Sequence, residues 1–334
     1  MHMIWVKFII CAALIFIAGK HLAKYADIIA EKTGLGGVWI GLILVAVATS
    51  LPELFTGVGS VVFVDAPNLT VGNLMGANSY NLLNIGLIDL LSGGTPLLST
   101  VSSGQLLTAV FSLIPIVLAT LGIILSQNGV SVWSAGNIGI FSIAIFVSYC
   151  VITRIIYRFE KKNTEYQIPN TKYGLVNLKT AYTQYAIAAL IIVISGIWLA
   201  YIGKELSVLL RLDESFVGTL FMGLATTLPE ITVSIAALLI GAKEIAIANM
   251  LGSNLFNMTI IFIDDILYRK APILSVVSPD HILQACAVMI MTAVVIIAMA
   301  TKAKKKIFRV SWYVPLIFII FILGAYFNFI TRIR

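Results

Sequence analysis

Long apolar runs alternate with short polar or Gly/Pro-containing breaks along the whole chain. They fall at roughly 4–23, 36–64, 69–92, 105–126 and 132–157 and, beyond a polar segment from Arg158 to Lys179, at roughly 181–203, 215–241, 244–268, 281–301 and 310–330. Most reach the length of about 20 residues that a helix needs to cross a hydrocarbon core. The pattern predicts an all-α integral membrane protein with about ten transmembrane helices. A first five-helix unit covers 1–157, a cytoplasmic linker 158–180, and a second five-helix unit 181–334. The first run, after Lys7, lacks a small-residue cleavage site and reads as a retained span. Pro52 and Pro229 lie inside the second and seventh spans, which are expected to be broken helices.

The two units are copies of one another. Residues 49–53 read Thr-Ser-Leu-Pro-Glu and residues 226–230 read Thr-Thr-Leu-Pro-Glu. Residues 73–81 read Asn-Leu-Met-Gly-Ala-Asn-Ser-Tyr-Asn, and residues 249–257 read Asn-Met-Leu-Gly-Ser-Asn-Leu-Phe-Asn. The offsets are 177 residues for the first pair and 176 for the second, and the order is the same in both units. An odd number of spans per unit puts the copies in opposite orientations, which is the inverted-repeat plan of secondary transporters.

Composition agrees. Hydrophobic residues make up 60% of the 334 and charged residues only 11%, against about 25% in soluble domains. A soluble enzyme, a disordered chain and a nucleic-acid-binding domain are excluded. The formal charge of +7 therefore reads as a topological signal: with the N-terminus outside, fifteen of the 22 basic residues face inward and seven outward. The expectation is a multi-pass protein of a prokaryotic plasma membrane with both termini outside. Cys11, Cys150 and Cys286 lie in apolar runs without paired spacing and read as small core residues.

Five acids fall within spans: Glu53, Asp89, Glu230, Asp264 and Asp265. A carboxylate at membrane depth costs at least a few kcal/mol and needs a partner or a water-filled cavity. No lysine or arginine sits mid-span beside Glu53 or Glu230, so the natural counter-charge is a mobile cation, and two glutamates match one divalent ion. Pro52 and Pro229 should free the carbonyls of Ala48 and Ala225, and carbonyl, hydroxyl, amide and carboxylate oxygens together suit calcium or sodium. The competing structural reading is a capping box at Ser50–Glu53 and at Thr227–Glu230. Asn78 and Asn81 share a helix face, as do Asn254 and Asn257. Ligation is expected of Asn81 and Asn257, whereas Asn73, Asn78, Asn249 and Asn254 are expected to pack helices or support broken backbone. Gly72, Gly76 and Gly252 should allow close helix approach. Asp89 and Asp265 lie eight residues beyond Asn81 and Asn257, about 12 Å along a helix, which places them near the interface.

These two segments resemble the α-repeats of the cation/calcium antiporter superfamily, whose pattern is Gly-Thr-Ser-Leu-Pro-Glu followed by Gly-Asn-x-x-Gly-Ser-Asn-x-x-Asn/Asp. The resemblance is nearest to prokaryotic sodium/calcium exchangers. It implies that Glu53 and Glu230 are the central calcium-binding acids. Thr49, Thr226, Ser50 and Thr227 would supply carbonyl or hydroxyl ligands, and Ala46 and Gly223 backbone oxygens for flanking sodium sites. Ser253 would supply a sodium-ligand hydroxyl, with Asn81 and Asn257 beside the centre. The chain departs from the pattern at Ala48, Ala225 and Ala248, which replace glycines, and at Ala77, which lacks the family's hydroxyl. Asn257 stands where some relatives have aspartate. The acid–His pair of the proton/calcium branch is absent, since Gly76-Ala77 and Gly252-Ser253 occupy that place. The resemblance implies electrogenic sodium-driven calcium transport by alternating access, with the first and sixth spans moving against a core. Calcium and sodium ions and the lipid bilayer are the implied partners, with no cofactor, no ATP, no nucleic acid and no deducible protein partner. An antiporter driven by potassium or another cation, a cation channel, and an intramembrane enzyme stay open as alternatives.

Overall fold

The computed structural model describes residues 2–33, 45–130, 133–163, 177–302, 306 and 310–330. Helix is what the sequence must form in a bilayer, because lipid offers the backbone no hydrogen-bond partner. In chain order the helices are α1 (His2–Thr33), α2 (Leu51–Phe63), α3 (Pro67–Leu91), α4 (Ser103–Gln127), α5 (Ile140–Asn163), α6 (Leu178–Leu210), α7 (Glu214–Thr226), α8 (Leu228–Leu239), α9 (Lys243–Leu267), α10 (Asp280–Thr301) and α11 (Tyr313–Ile330). Among the described residues, seven are long and apolar enough to span a membrane, and α7 with α8 forms an eighth span bent by 40°. With α2 and α3 the total reaches ten. Both differ for a physical reason: α2 is short, and α3 carries four asparagines in its middle. Residues 36–44 of the predicted second span, and most of the predicted linker, lie outside the described residues.

Helix ends depart from the apolar runs. α1 continues to Thr33 past Lys20 and Lys24, and α6 runs from Leu178 to Leu210. Backbone hydrogen bonding does not stop where apolar side chains do. It stops at caps: the Asn177 side chain accepts from the Lys179 N–H at 2.9 Å, and Arg211 turns left-handed at φ 52°.

The predicted capping boxes do not form. Neither Ser50 nor Thr227 makes a side-chain cap bond. A capping residue needs extended torsions, whereas Ser50 sits at φ −91°, ψ 9° and Thr227 at φ −83°, ψ 0°. The ladder carries on through each break: Ser50 N–H bonds Ala46 O at 3.0 Å and Leu54 N–H bonds Ser50 O at 3.2 Å. Thr227 and Ile231 repeat this with Gly223 and Thr227. The prolines stand in the first turn of the second segment, where a missing N–H costs little. The hydroxyls are thus released for other work.

α3 and α9 occupy the centre of the bundle and are its most buried elements. α3 meets the α7 segment backbone to backbone. A Cβ on Gly72 would stand 2.7 Å from Ser215 O, one on Gly218 2.6 Å from Leu69 O, and one on Gly223 2.9 Å from the Gly76 carbonyl carbon. Gly252 packs more loosely, facing the Ala46 Cβ. α1 and α6 pack along each other outside this core. Each faces the broken helix of the opposite repeat: Gly19 lies against Pro229, and Gly196 against Phe55 and Thr56.

Asp89 and Asp265 are equivalent anchors. Each accepts the backbone N–H eight residues on, Leu97 at 2.7 Å and Ile273 at 2.6 Å, and so folds the chain back after α3 and α9. Asp89 also takes the Tyr313 hydroxyl at 2.6 Å and pairs with Lys306 at 3.3 Å. Asp265 takes the Gly139 N–H at 2.8 Å.

Candidate cation site

The breaks place Glu53 in the first turn of α2 and Glu230 in the first turn of α8, each directly after its proline. Both are fully buried. Ser50, three residues before Glu53, reaches Glu230 Oε1 at 3.2 Å, so the two breaks adjoin. Thr226 lies beside Glu53, and Thr49 and Ser50 lie beside Glu230. Neither glutamate takes part in an ion pair among the described residues.

The polar side chains around them are exchanged between repeats. The Thr49 hydroxyl donates to Asn249 Oδ1 at 3.3 Å, and the Thr226 hydroxyl donates to Asn73 Oδ1 at 3.1 Å. Asn81 Nδ2 donates to Asn254 Oδ1 at 3.0 Å, and Asn257 Nδ2 to Asn78 Oδ1 at 3.2 Å. Each bond is the symmetry mate of the other in its pair. The two asparagine bonds join α3 to α9, and the two threonine bonds tie each break to the central helix of the opposite repeat. Asn249 also supports the break in its own repeat, donating to Glu230 O at 3.2 Å and Ser234 Oγ at 3.1 Å.

Five buried side-chain oxygens at this centre have no hydrogen-bond partner: both of Glu53, Oε2 of Glu230, and Oδ1 of Asn81 and of Asn257. The amide nitrogens of Asn73 and Asn78 nearby are also unpartnered, but a nitrogen donor cannot ligate a cation, and the oxygens can. An oxygen-only set of this kind, with two carboxylates, is chemistry for a hard cation.

The flanks differ. On one side Ser253 Oγ lies 3.4 Å from Thr49 Oγ1 and 3.5 Å from Ala46 O, so three oxygens converge. On the other, Gly223 O and Thr226 Oγ1 are 3.4 Å apart, but Ala77 brings no oxygen. Ser50 and Thr227 also diverge. Ser50 donates to Glu230 Oε1 at 3.2 Å, whereas Thr227 turns back to Gly223 O at 2.8 Å. Of the eleven residues singled out in the sequence, nine lie at or against the two helix breaks, and Asn81 and Asn257 lie on α3 and α9, bonded to Asn254 and Asn78. The threonine–asparagine exchange was invisible there, because it joins residues about 200 positions apart. Asp264 was also unplaced; it is buried and accepts from the Thr70 hydroxyl at 2.6 Å.

Two inverted five-helix repeats around a buried oxygen site at paired helix breaks define a secondary transporter for cations. The chain belongs to the sodium/calcium exchanger protein family, whose sequence model matches residues 3–156 and 181–331. It is a membrane-embedded cation/calcium antiporter and not an enzyme. The inner membrane protein YrbG of Escherichia coli K12 is 26% identical over 253 residues, 74% of each chain. Among solved structures, the H+/Ca2+ exchanger CAX superposes with a TM-score of 0.71 at 13% identity, covering 99% of this chain and 86% of that one. The sodium-calcium exchanger NCX_Mj, soaked with Na+ and Sr2+, superposes with a TM-score of 0.61 at 18% identity, covering 97% and 98%. At these identities the likeness is one of fold.

Proposed function

We propose that the protein exchanges Na+ for Ca2+ by alternating access at the Glu53/Glu230 centre. The carrying observation is the set of five buried, unpartnered oxygens on Glu53, Glu230, Asn81 and Asn257. Calcium binds between the two carboxylates, whose charges it neutralises. Thr49, Thr226 and Ser50 complete its shell, while Thr227 bonds back to Gly223 O in this conformation. Sodium ions take the flanks, one at Ala46, Thr49 and Ser253 and a weaker one at Gly223 and Thr226. Occupation by sodium places positive charge beside the carboxylates and expels calcium, so the two ions compete for shared oxygens.

Two features favour sodium over protons as the driving ion. The second motif of each repeat offers no acid or histidine, and position 257 carries an amide that cannot take up a proton at neutral pH. The named activity of NCX_Mj is consistent with the same pairing. α1 and α6 are the moving elements, sliding over the broken helices. The protein sits in a prokaryotic plasma membrane with both termini outside and needs no cofactor.

Calcium uptake into proteoliposomes, driven separately by sodium, potassium and proton gradients, tests this. Uphill uptake on the sodium gradient alone is expected. Uptake driven by protons or potassium overturns the sodium assignment, and downhill leak without coupling overturns antiport.

A further inference from the structure

We propose that Asp264 and Thr70 form a separate hard-cation station, one helical turn from the central glutamates, on the approach from the membrane face that carries Asp65 and Lys270. The inference rests on the transport reading above, but not on sodium being the coupling ion.

Asp264 is fully buried near the end of α9. Oδ2 takes the Thr70 hydroxyl at 2.6 Å, and Oδ1 has no partner. None of the ion pairs among the described residues includes it. The neighbouring charge is that of Asp265, which is also negative. With no cationic side chain beside it, the ionised form of this buried acid is costly, so it is held neutral by a proton except when a cation visits the free oxygen.

Its position ties it to the centre. The carboxylate packs against Gly57, where a Cβ would lie 2.8 Å from Thr70 Oγ1 and 3.0 Å from the Asp264 Cγ. Gly57 is four residues beyond Glu53 on α2, about 6 Å along the helix. Thr70 is one turn before Asn73, whose Oδ1 holds Thr226 beside Glu53. Two helices therefore carry polar groups from Asp264 to the central site. The outer end lies close to α9's terminus at Leu267 and to the exposed Lys270–Asp65 pair.

The inverted repeat provides the control. Its counterparts of Gly57, Thr70 and Asp264 are Ser234, Ala246 and Ile88. There Ser234 Oγ donates to Ala246 O at 3.1 Å and accepts from Asn249 Nδ2 at 3.1 Å, so the slot is sealed by its own hydrogen bonds. In the first repeat glycine leaves the slot open, a carboxylate enters it, and Asn73 Nδ2 has no partner. One slot is closed by Ser234, and the other holds a carboxylate.

The test is sided transport kinetics in oriented proteoliposomes, with calcium as the probe and whichever cation gradient drives the wild type. For Asp264→Asn, the half-saturating calcium concentration should rise about tenfold when calcium is supplied from the Asp65/Lys270 face, a loss typical of a charge-assisted contact. From the opposite face it should stay within about twofold. Asp264→Glu should retain the wild-type asymmetry. Thr70→Val, which keeps the shape, should show the same one-sided rise at about threefold. No change, or equal changes from both faces, overturns the station. If Asp264→Asn does not fold, Thr70→Val decides alone, by the same criterion. A wild type driven by protons would refute the sodium assignment and leave this comparison intact.

Discussion

Ser50 of the first repeat donates its hydroxyl to Oε1 of Glu230 in the second, at 3.2 Å. Its counterpart Thr227 does not return the bond to Glu53 but folds back on Gly223 at 2.8 Å. The two carboxylates are thus unequal in this conformation: the Ser50 hydroxyl donates to Glu230, whereas Thr226 lies beside Glu53 but donates to Asn73 Oδ1.

The first prediction follows from the charges. Glu53→Gln and Glu230→Gln each preserve shape and remove half the central charge. Calcium flux should fall at least about 100-fold in each, as expected when a desolvated charge loses its role. Tracer uptake by variants that elute as the wild type checks this. Normal flux in either variant would remove the glutamates from the site.

Unequal holding gives a second prediction. Ser50→Ala removes a bond to a buried carboxylate and should weaken equilibrium calcium binding by about fivefold to tenfold. Thr227→Ala removes only a backbone contact and should weaken it by less than about threefold. Titration of both purified variants with calcium decides; equal losses contradict the asymmetry.

Sodium affinity should follow the flanks. Ser253→Ala deletes one of three converging oxygens and should raise the sodium concentration for half-maximal exchange, by about threefold to tenfold. Ala77→Ser supplies the oxygen missing beside Gly223 and Thr226 and should lower it. If neither variant shifts the sodium dependence, these positions do not touch sodium.

The repeats, the spans and the residues at the two breaks were legible because they are local patterns: apolar length, a proline followed by glutamate, and asparagines on one helix face. What those side chains bond to was not legible. The capping-box reading of Ser50 failed because capping depends on torsions, and a break that keeps near-helical torsions cannot use the side chain that way. In the sequence, repeat spacing paired Asp89 with Asp265 near the interface and gave Asp264 no place. Only the folded chain shows that the first two tie down Leu97 and Ile273 while the third is left with a free oxygen.

A fourth prediction concerns those anchors. Asp89→Asn leaves the nearly buried Lys306 without its counter-charge and should cost about 3–5 kcal/mol. Asp265→Asn breaks no ion pair and should cost about 1–3 kcal/mol. Thermal unfolding of the detergent-purified variants should rank them in that order, with calcium binding unchanged in the folded fraction.

Motion of α1 and α6 over the core gives the last. Gly19 leaves no room for a side chain against the rigid ring of Pro229, and Gly196 abuts the backbone of α2. Gly19→Val should slow exchange at least about tenfold while equilibrium calcium binding changes by less than about twofold, because it obstructs sliding and not ligation. Parallel flux and binding measurements separate the two. A matching fall in binding would place the glycine's role in the site.

The exchanged asparagines have a consequence for ancestry. Asn81 meets Asn254 as Asn257 meets Asn78, and each of the four has an asparagine as its repeat counterpart. The seam between the halves is therefore self-complementary, the property of a two-fold interface between identical subunits. One five-helix half, inserted in both orientations, could form both bonds with a second copy of itself. The present chain keeps those four asparagines, while other matched positions differ, among them Ala77 against Ser253, Gly57 against Ser234 and Ile88 against Asp264. Joined in one chain, the two halves need not serve both sides of the membrane alike, and these unmatched positions are where they differ.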